Sequence, residues 1–201
     1  MQDEQADWSR REVLLSSAAM LLAANLSRAA ASTTPKDKSA MTAENDKPGG
    51  NGKPGEFSFL DGNWKIKHRR LKEPHGKEWD EFEGEATCWS ILGGVGSVEE
   101  LRIPSRNFAG MGLRLLDVEK KIWNDFWVNG KSGVLTTPGQ TGGFENGVGT
   151  FGADDKDGDK PIKVKGVWDR ITPTSCRWWQ AVSWDDGKTW EENWFMDWTK
   201  A

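Results

Sequence analysis

Short segments with a two-residue apolar period, separated by turn residues, are the feature that most limits how this chain can fold. From Trp64 to Arg70, basic residues at every second position face one side, and the positions between them face the other. The inward set is Trp64, Ile66, His68 and Arg70. Pro161–Arg170 shows the same alternation, with Trp168 and Arg170 on the face opposite its lysines. Such a period predicts β-strands with one buried face.

Further strand segments follow each other closely along the chain, and turn signals such as Gly93-Gly94, Asn129-Gly130 and Asp186-Gly187 separate them. They are Phe82–Leu92, Gly96–Ile103, Gly110–Leu116, Lys121–Val128, Val148–Ala153, Ser175–Ser183 and Thr189–Thr199. No segment after the first thirty residues keeps a helical period. The sequence therefore predicts an all-β fold, an antiparallel up-and-down barrel of about eight to ten strands, whose closure removes exposed edges.

The first thirty residues have the organisation of an export signal. Ser9-Arg10-Arg11 precedes an apolar run from Val13 to Leu26, and Ala29-Ala30-Ala31 offers a small-residue cleavage site. The segment resembles the twin-arginine signal pattern, which implies export of the folded protein to the periplasm or beyond. The alternatives are an ordinary secretory signal and an uncut membrane anchor. The apolar run is shorter than the roughly 20 residues that a membrane span needs.

Composition divides the rest of the chain in two. Residues 32–55 are mostly Lys, Pro, Gly, Ser, Thr and Asp, which predicts a disordered linker. Residues 56–201 carry nearly all the remaining apolar residues and predict one barrel domain. The formal net charge of the whole chain is −4, so there is no basic excess to bind nucleic acid. No later segment is apolar enough to span a membrane once the signal, residues 1–31, is removed.

Structural glycines and tryptophans give the chain a resemblance to a known group. Phe57–Trp64 contains Gly62-Asn63-Trp64, which looks like the opening of lipocalin-like barrels, and Ile91–Gly94 and Trp190-x-x-x-Trp194 add to the similarity. The region 57–200 resembles a bacterial family of secreted lipocalin-like proteins of largely unassigned function. The resemblance implies a calycin-type barrel with a central cavity, and it supplies no catalytic residues.

Thirteen tryptophans and no tyrosine make an unusual aromatic composition. The tryptophans either fill a core or form the wall of a pocket for a planar or apolar ligand. The predicted wall comprises Trp64, Trp123, Trp127, Trp168, Trp179 and Trp194. The leading functional prediction is therefore an exported barrel that binds a small apolar or aromatic molecule.

Polar residues on the inward faces suggest what else the barrel could do. His68 and Arg70 share the inward face of the first strand, and Arg114 and Arg170 are further candidates for contact with a ligand oxygen. Buried polar groups need partners, and Glu99 or Glu100 supplies a carboxylate because one of the two must face inward. The alternatives are a solvated ion-pair rim and a cofactor-independent isomerase, cyclase or hydratase. In the enzyme, His68 is the acid or base, and Glu99 and Arg70 assist it.

Two histidines are too few for a multi-histidine metal site, so no metal or other cofactor is expected. A single inward His68 leaves haem ligation as a minor alternative. Cys88 and Cys176 are an even pair, which either forms a disulfide or remains two buried thiols. The oligomeric state is not determined by the sequence.

Ser183–Trp190 fits the Asp-box pattern, Ser-x-Asp-x-Gly-x-Thr-Trp. Sialidases carry several copies of this pattern, one in each propeller blade, whereas this chain has one copy and is too short for a propeller. The motif therefore predicts a hairpin turn in which Asp185 caps backbone N–H groups and Gly187 adopts a positive φ.

Overall fold

The computed structural model describes residues 50–201, and the predicted signal and most of the predicted linker lie outside them. Within these residues, ten antiparallel strands close into one barrel, in which each strand pairs with its chain neighbours and β1 also pairs with β10. The strands are β1 (Gly62–Leu71), β2 (Trp79–Ile91), β3 (Gly96–Ile103), β4 (Phe108–Asp117), β5 (Ile122–Asn129), β6 (Gln140–Glu145), β7 (Val148–Asp157), β8 (Lys160–Asp169), β9 (Ser175–Ser183) and β10 (Glu191–Lys200). The predicted up-and-down barrel is confirmed.

Alternate residues of β1 and β10 point into the barrel and are buried there. In β1, Trp64, Ile66 and His68 are buried, whereas the lysines between them are exposed, as the two-residue period predicts. Opposite them, β10 buries Trp194, Met196 and Trp198. The aromatic-rich interior is thus assembled from alternate residues of strands that are far apart in sequence.

Strand β6 is the one strand that the sequence pattern did not predict. Its centre is Gly142-Gly143, and glycine neither favours strands nor shows an apolar alternation. Its register explains the first glycine: a Cβ on Gly142 would lie 1.9 Å from the carbonyl oxygen of Thr150 on β7.

The segment before β1 closes one end of the barrel. Gly50 and Gly52 donate backbone N–H groups to the carbonyls of Lys120 and Lys121, so contact with the barrel begins before the predicted domain boundary at residue 56. The 3-10 turn Ser58–Leu60 follows, and Phe57 and Leu60 are fully buried beneath the strands. Residues 50–61, called the plug below, therefore pack against the barrel and contribute Phe57 and Leu60 to its core.

The Asp-box segment forms the predicted turn between β9 and β10. Both the backbone N–H and the hydroxyl of Thr189 donate to the carboxylate of Asp185, at 2.8 and 2.7 Å. Gly187 has a φ of 86°, and the indole N–H of Trp190 donates to its carbonyl. The two hydrogen bonds from Thr189, together with one from the hydroxyl of Ser183, lower the pKa of Asp185 to about 2. The motif is therefore used here as a structural turn.

Within residues 50–201, no helix combines the length and apolar character that crossing a bilayer requires.

Candidate functional site

A cavity of about 130 Å³ lies inside the barrel. Its wall is mainly aromatic, formed by Phe82, Phe108, Phe126, Trp127, Trp168, Trp178, Trp194 and Trp198. The polar residues of the wall are Arg70, Glu99, Asp125, Asn129, Gln140 and Gln180. An apolar protein cavity of roughly 150 Å³ is known to hold benzene, so this one suits a small molecule.

The tryptophans of the wall pack against one another at angles typical of aromatic pairs. Trp178 and Trp194 form an edge-to-face pair with centroids 5.8 Å apart, and Trp168 and Trp198 lie 5.4 Å apart. Gly110 makes room for Trp127, because a Cβ at that position would lie 2.3 Å from the indole ring. The wall is therefore already packed, and its shape depends on particular glycines.

An ion-pair cluster forms the inner end of the cavity, next to the plug. Arg114 donates from Nη2 to Oε2 of Glu99 at 2.5 Å, and its Nε lies 3.5 Å from Oδ1 of Asp125. The guanidinium carbon lies 5.1 Å from the ring centroid of Phe57 and 5.3 Å from that of Trp168. Arg114 therefore lies across the barrel axis, behind the two carboxylates that line the cavity.

The register explains why these three groups meet. Arg114 on β4 pairs directly with Asp125 on β5. Glu99 pairs with Gly112, and a Cβ on Gly112 would lie 3.1 Å from Nη2 of Arg114. The missing side chain at Gly112 thus leaves space for the guanidinium to reach Glu99.

Two carboxylates and one guanidinium leave the cluster with one formal negative charge in excess. Burial raises the pKa of Asp125 to about 6; the Arg114 charge opposes this rise and the Glu99 charge adds to it. Burial opposes the charged form of Arg114, but Asp125 and Glu99 outweigh it and raise the pKa of the guanidinium. Asp125 retains 19% exposure of its side chain, whereas Glu99 retains 4%, so Asp125 is the accessible charge of the cluster.

His68 is buried in the barrel wall beside the cavity. Its ring stacks on Phe82 with centroids 4.5 Å apart, and its Nδ1 accepts a hydrogen bond from the indole N–H of Trp194 at 3.3 Å. Its Nε2 faces β2, where a Cβ on Gly84 would lie only 2.6 Å away. Burial, followed by the charges of Arg106 and Arg70, lowers the pKa of His68 to about 3. The imidazole is therefore neutral near neutral pH.

The structure brings some of the predicted site residues to the cavity and places others elsewhere. Arg70, Glu99, Trp127, Trp168 and Trp194 line it. Four others, Trp64, His68, Arg114 and Trp123, are buried within the barrel but are not among the lining residues of the described chain.

Two predicted site residues lie outside the interior. Trp179 lies on the outer face of β9 and donates its indole N–H to Asp169 at 3.0 Å. Arg170 is exposed, because β8 ends at Asp169 and the next residue turns away with a φ of 52°. The expected continuation of the inward face to Arg170 is therefore wrong. Of the two adjacent acids, Glu99 faces inward and Glu100 outward.

Sequence reasoning missed several residues of the cavity, above all Asp125. It lies between Trp123 and Trp127 on β5, and all three share the inward face. The same two-residue period would have identified it once the register of β5 was fixed. Trp178, Trp198, Gln140 and Gln180 were also not predicted.

The arrangement does not fit haem ligation by His68. One ring nitrogen accepts a hydrogen bond from Trp194, and the other faces the backbone of the neighbouring strand, so neither points into open space. Residues 50–201 contain no cluster of three or more His, Cys, Asp or Glu side chains suited to a metal ion. The expectation that the protein needs no cofactor stays a prediction.

Cys88 and Cys176 are free thiols, both buried. Burial raises the pKa of both, to about 12 for Cys176. Of the alternatives that the sequence left open, the structure shows two buried thiols.

Comparison with protein-family profiles finds no match to this sequence, and comparison with curated proteins finds none either. Among solved structures, the crystal structure of Rv2717c from M. tuberculosis aligns with 72% of this chain and 94% of that chain. The two sequences are 12% identical over the alignment, and the TM-score is 0.47. A likeness of this degree carries no argument about function, so membership of a calycin-type family stays a prediction.

Proposed function

We propose that this protein is an exported barrel that binds a small apolar or aromatic molecule among the tryptophans of its interior. The observation that carries the proposal is the cavity of about 130 Å³, which five tryptophans line. Concave, mainly apolar sites with a few converging polar groups are the usual form of small-molecule sites. Burial of an apolar ligand there contributes roughly 25 cal/mol per Å² of surface removed from water.

Binding agrees better with the geometry than the alternative of an enzyme that uses His68. A general acid or base must reach the substrate and change its protonation near working pH. His68 is packed between Phe82, Trp194 and Gly84, and its lowered pKa keeps it neutral. Its role is therefore to support the wall of the cavity.

The binding proposal is tested by titrating the full 201-residue chain with benzyl alcohol and toluene. The expected result is saturable quenching of tryptophan fluorescence together with a higher melting temperature, because a ligand that binds only the folded state stabilises it. Leu101→Phe adds volume to the cavity wall and should weaken both effects. Val98→Phe, on the outer face of the same strand, is the matched control and should leave them unchanged. Unsaturable or absent responses in the parent chain would refute the proposal.

We also propose that the chain reaches the periplasm, or is secreted, by the twin-arginine route. Support comes from the paired Arg10-Arg11 and the apolar run that follows them. Replacing both arginines by lysine should retain the protein in the cytoplasm, whereas Arg28→Lys should not. Cell fractionation followed by mass measurement of the exported chain checks both results. Unchanged export of the double lysine variant would overturn this route.

A further inference from the structure

We propose that the molecule bound in this cavity is a small organic cation, a protonated amine with an apolar or aromatic body. Its charge lies against Glu99 and Asp125, and its body lies against the tryptophans. This inference rests on the proposed binding function and specifies the ligand class.

The inner end of the cavity carries an excess of negative charge. Arg114 is the partner of both Glu99 and Asp125, so a single positive charge is shared by two carboxylates. Glu99 is 3% exposed, and within the described chain only its Oε2 takes part in a hydrogen bond or ion pair. An uncompensated charge in such surroundings is costly, and a bound cation offsets that cost.

The faces of the aromatic rings attract a cation independently of the carboxylates. Indole rings carry negative potential on their faces and attract cations within about 6 Å. The interior already shows this preference: Arg70 lies 4.5 Å over the ring of Trp194, and Arg114 lies 5.3 Å from that of Trp168. A cavity walled by such rings and ended by two carboxylates is complementary to an ammonium group.

The same geometry opposes an anionic ligand. The deepest positive charge, Arg114, lies behind Glu99 and Asp125, so an anion at the inner end would meet carboxylates first. Arg70 is the basic residue among those that line the cavity, and its guanidinium lies over Trp194. In a low-dielectric interior, like charges a few ångströms apart repel strongly.

Size narrows the class further. A cavity of about 130 Å³ is close in volume to one that holds benzene, so the body of the ligand is a single small ring. Benzylammonium, benzyl alcohol and benzoate share one ring and one carbon, and they differ in charge at the same position. They are therefore matched probes for the cationic, neutral and anionic cases.

The test measures the affinity of these three probes for the full-length chain by calorimetry at about pH 7.5, where Asp125 is ionised. We expect benzylammonium to bind about tenfold or more tightly than benzyl alcohol, and benzoate to bind most weakly. Asp125→Asn should reduce the affinity for benzylammonium to about that for benzyl alcohol. Asp197→Asn removes the same charge from the exposed outer face of β10 and should change neither affinity.

A second measurement does not depend on the folding of any variant. Asp125 faces Arg114 on β4, Gln140 on β6 and the carboxylate of Glu99 on β3, and lowering the pH through about 6 protonates it. The affinity of the parent chain for benzylammonium should therefore decrease several-fold from about pH 7.5 to about pH 5, and that for benzyl alcohol should stay constant.

The outcomes separate the two proposals. If benzyl alcohol binds and benzylammonium binds no more tightly, the cation inference is wrong and the binding function stands. If benzoate binds most tightly, the inference is also wrong, and an arginine-directed anion site replaces it. If none of the probes binds, the binding function itself fails.

Discussion

The indole N–H of Trp194 donates to Nδ1 of His68 across 3.3 Å, which places the proton of the neutral imidazole on Nε2. The bond joins β1 to β10, the two strands whose pairing closes the barrel. Because His68 also stacks on Phe82 of β2, one side chain connects three consecutive strands of the wall. Its position therefore serves the stability of the barrel.

Replacing His68 by glutamine should lower stability by about 1–3 kcal/mol, because the stack on Phe82 is lost and a buried amide is imperfectly paired. Affinity for a neutral aromatic probe should change little. Chemical denaturation gives the free energy of unfolding, and fluorescence titration of the same preparation gives the affinity for the probe. A variant of normal stability that has lost ligand binding or a turnover would contradict this assignment.

The pH dependence of stability should carry an identifiable contribution from His68. Its pKa is about 3 in the folded chain and about 6.5 when unfolded, so the unfolded chain binds more protons between these values. The stabilisation is complete above about pH 6.5 and decreases as the pH falls toward about 3. The measurement uses Asp125→Asn, because this variant lacks the opposing contribution of Asp125. Its denaturation midpoint should rise with pH across this range.

Asp125 should make the folded chain less stable as the pH rises, which is opposite to the contribution of His68. Its pKa is about 6 when folded and about 3.8 when unfolded, so its stabilisation is complete below about pH 4 and is lost as the pH rises through about 6. In His68→Gln, where the histidine contribution is gone, stability should therefore decrease from about pH 4 to about pH 6. The same slope in the double variant with Asp125→Asn would show that another group is responsible.

The two-residue period was sufficient to predict the inward faces of β1 and most of β8. Successive side chains of a strand point to opposite faces, so burial of one face fixes the orientation of every residue. The period failed at Arg170, where the backbone leaves the strand, and at Gly142-Gly143, where no side chains exist to show a pattern. The site was harder to predict. Arg114 approaches Trp168 across the barrel, and that distance depends on closure of the whole sheet.

The shape of the cavity should be sensitive to Gly110. A Cβ there would lie 2.3 Å from the indole of Trp127, so Gly110→Ala forces that ring to move into the cavity. We expect affinity for benzyl alcohol to fall by about tenfold, with a shifted tryptophan emission. Gly152→Ala is the control, because the atom nearest to its Cβ would be the carbonyl oxygen of Val164 at 3.4 Å. Equal affinities for the two variants would contradict this account of the wall.

The two cysteines should be unreactive in the native protein. Both are buried and have raised pKa values, so almost no thiolate exists at about pH 8. Alkylation with iodoacetamide, counted by mass spectrometry, should modify neither thiol in the folded chain and both after unfolding. A denatured but unreduced chain that resists alkylation would instead reveal a disulfide between Cys88 and Cys176.

Pairing between β1 and β10 has a consequence for the order of events during synthesis. The seven residue pairs from Trp64↔Lys200 to Arg70↔Trp194 join segments separated by most of the folded chain, and such long-range contacts form slowly. Trp194, Met196 and Trp198 of β10 are also part of the cavity wall. Until β10 has been made and has docked, the growing chain has no binding site, so any ligand is captured by a completed barrel and cannot act as a template for the early strands.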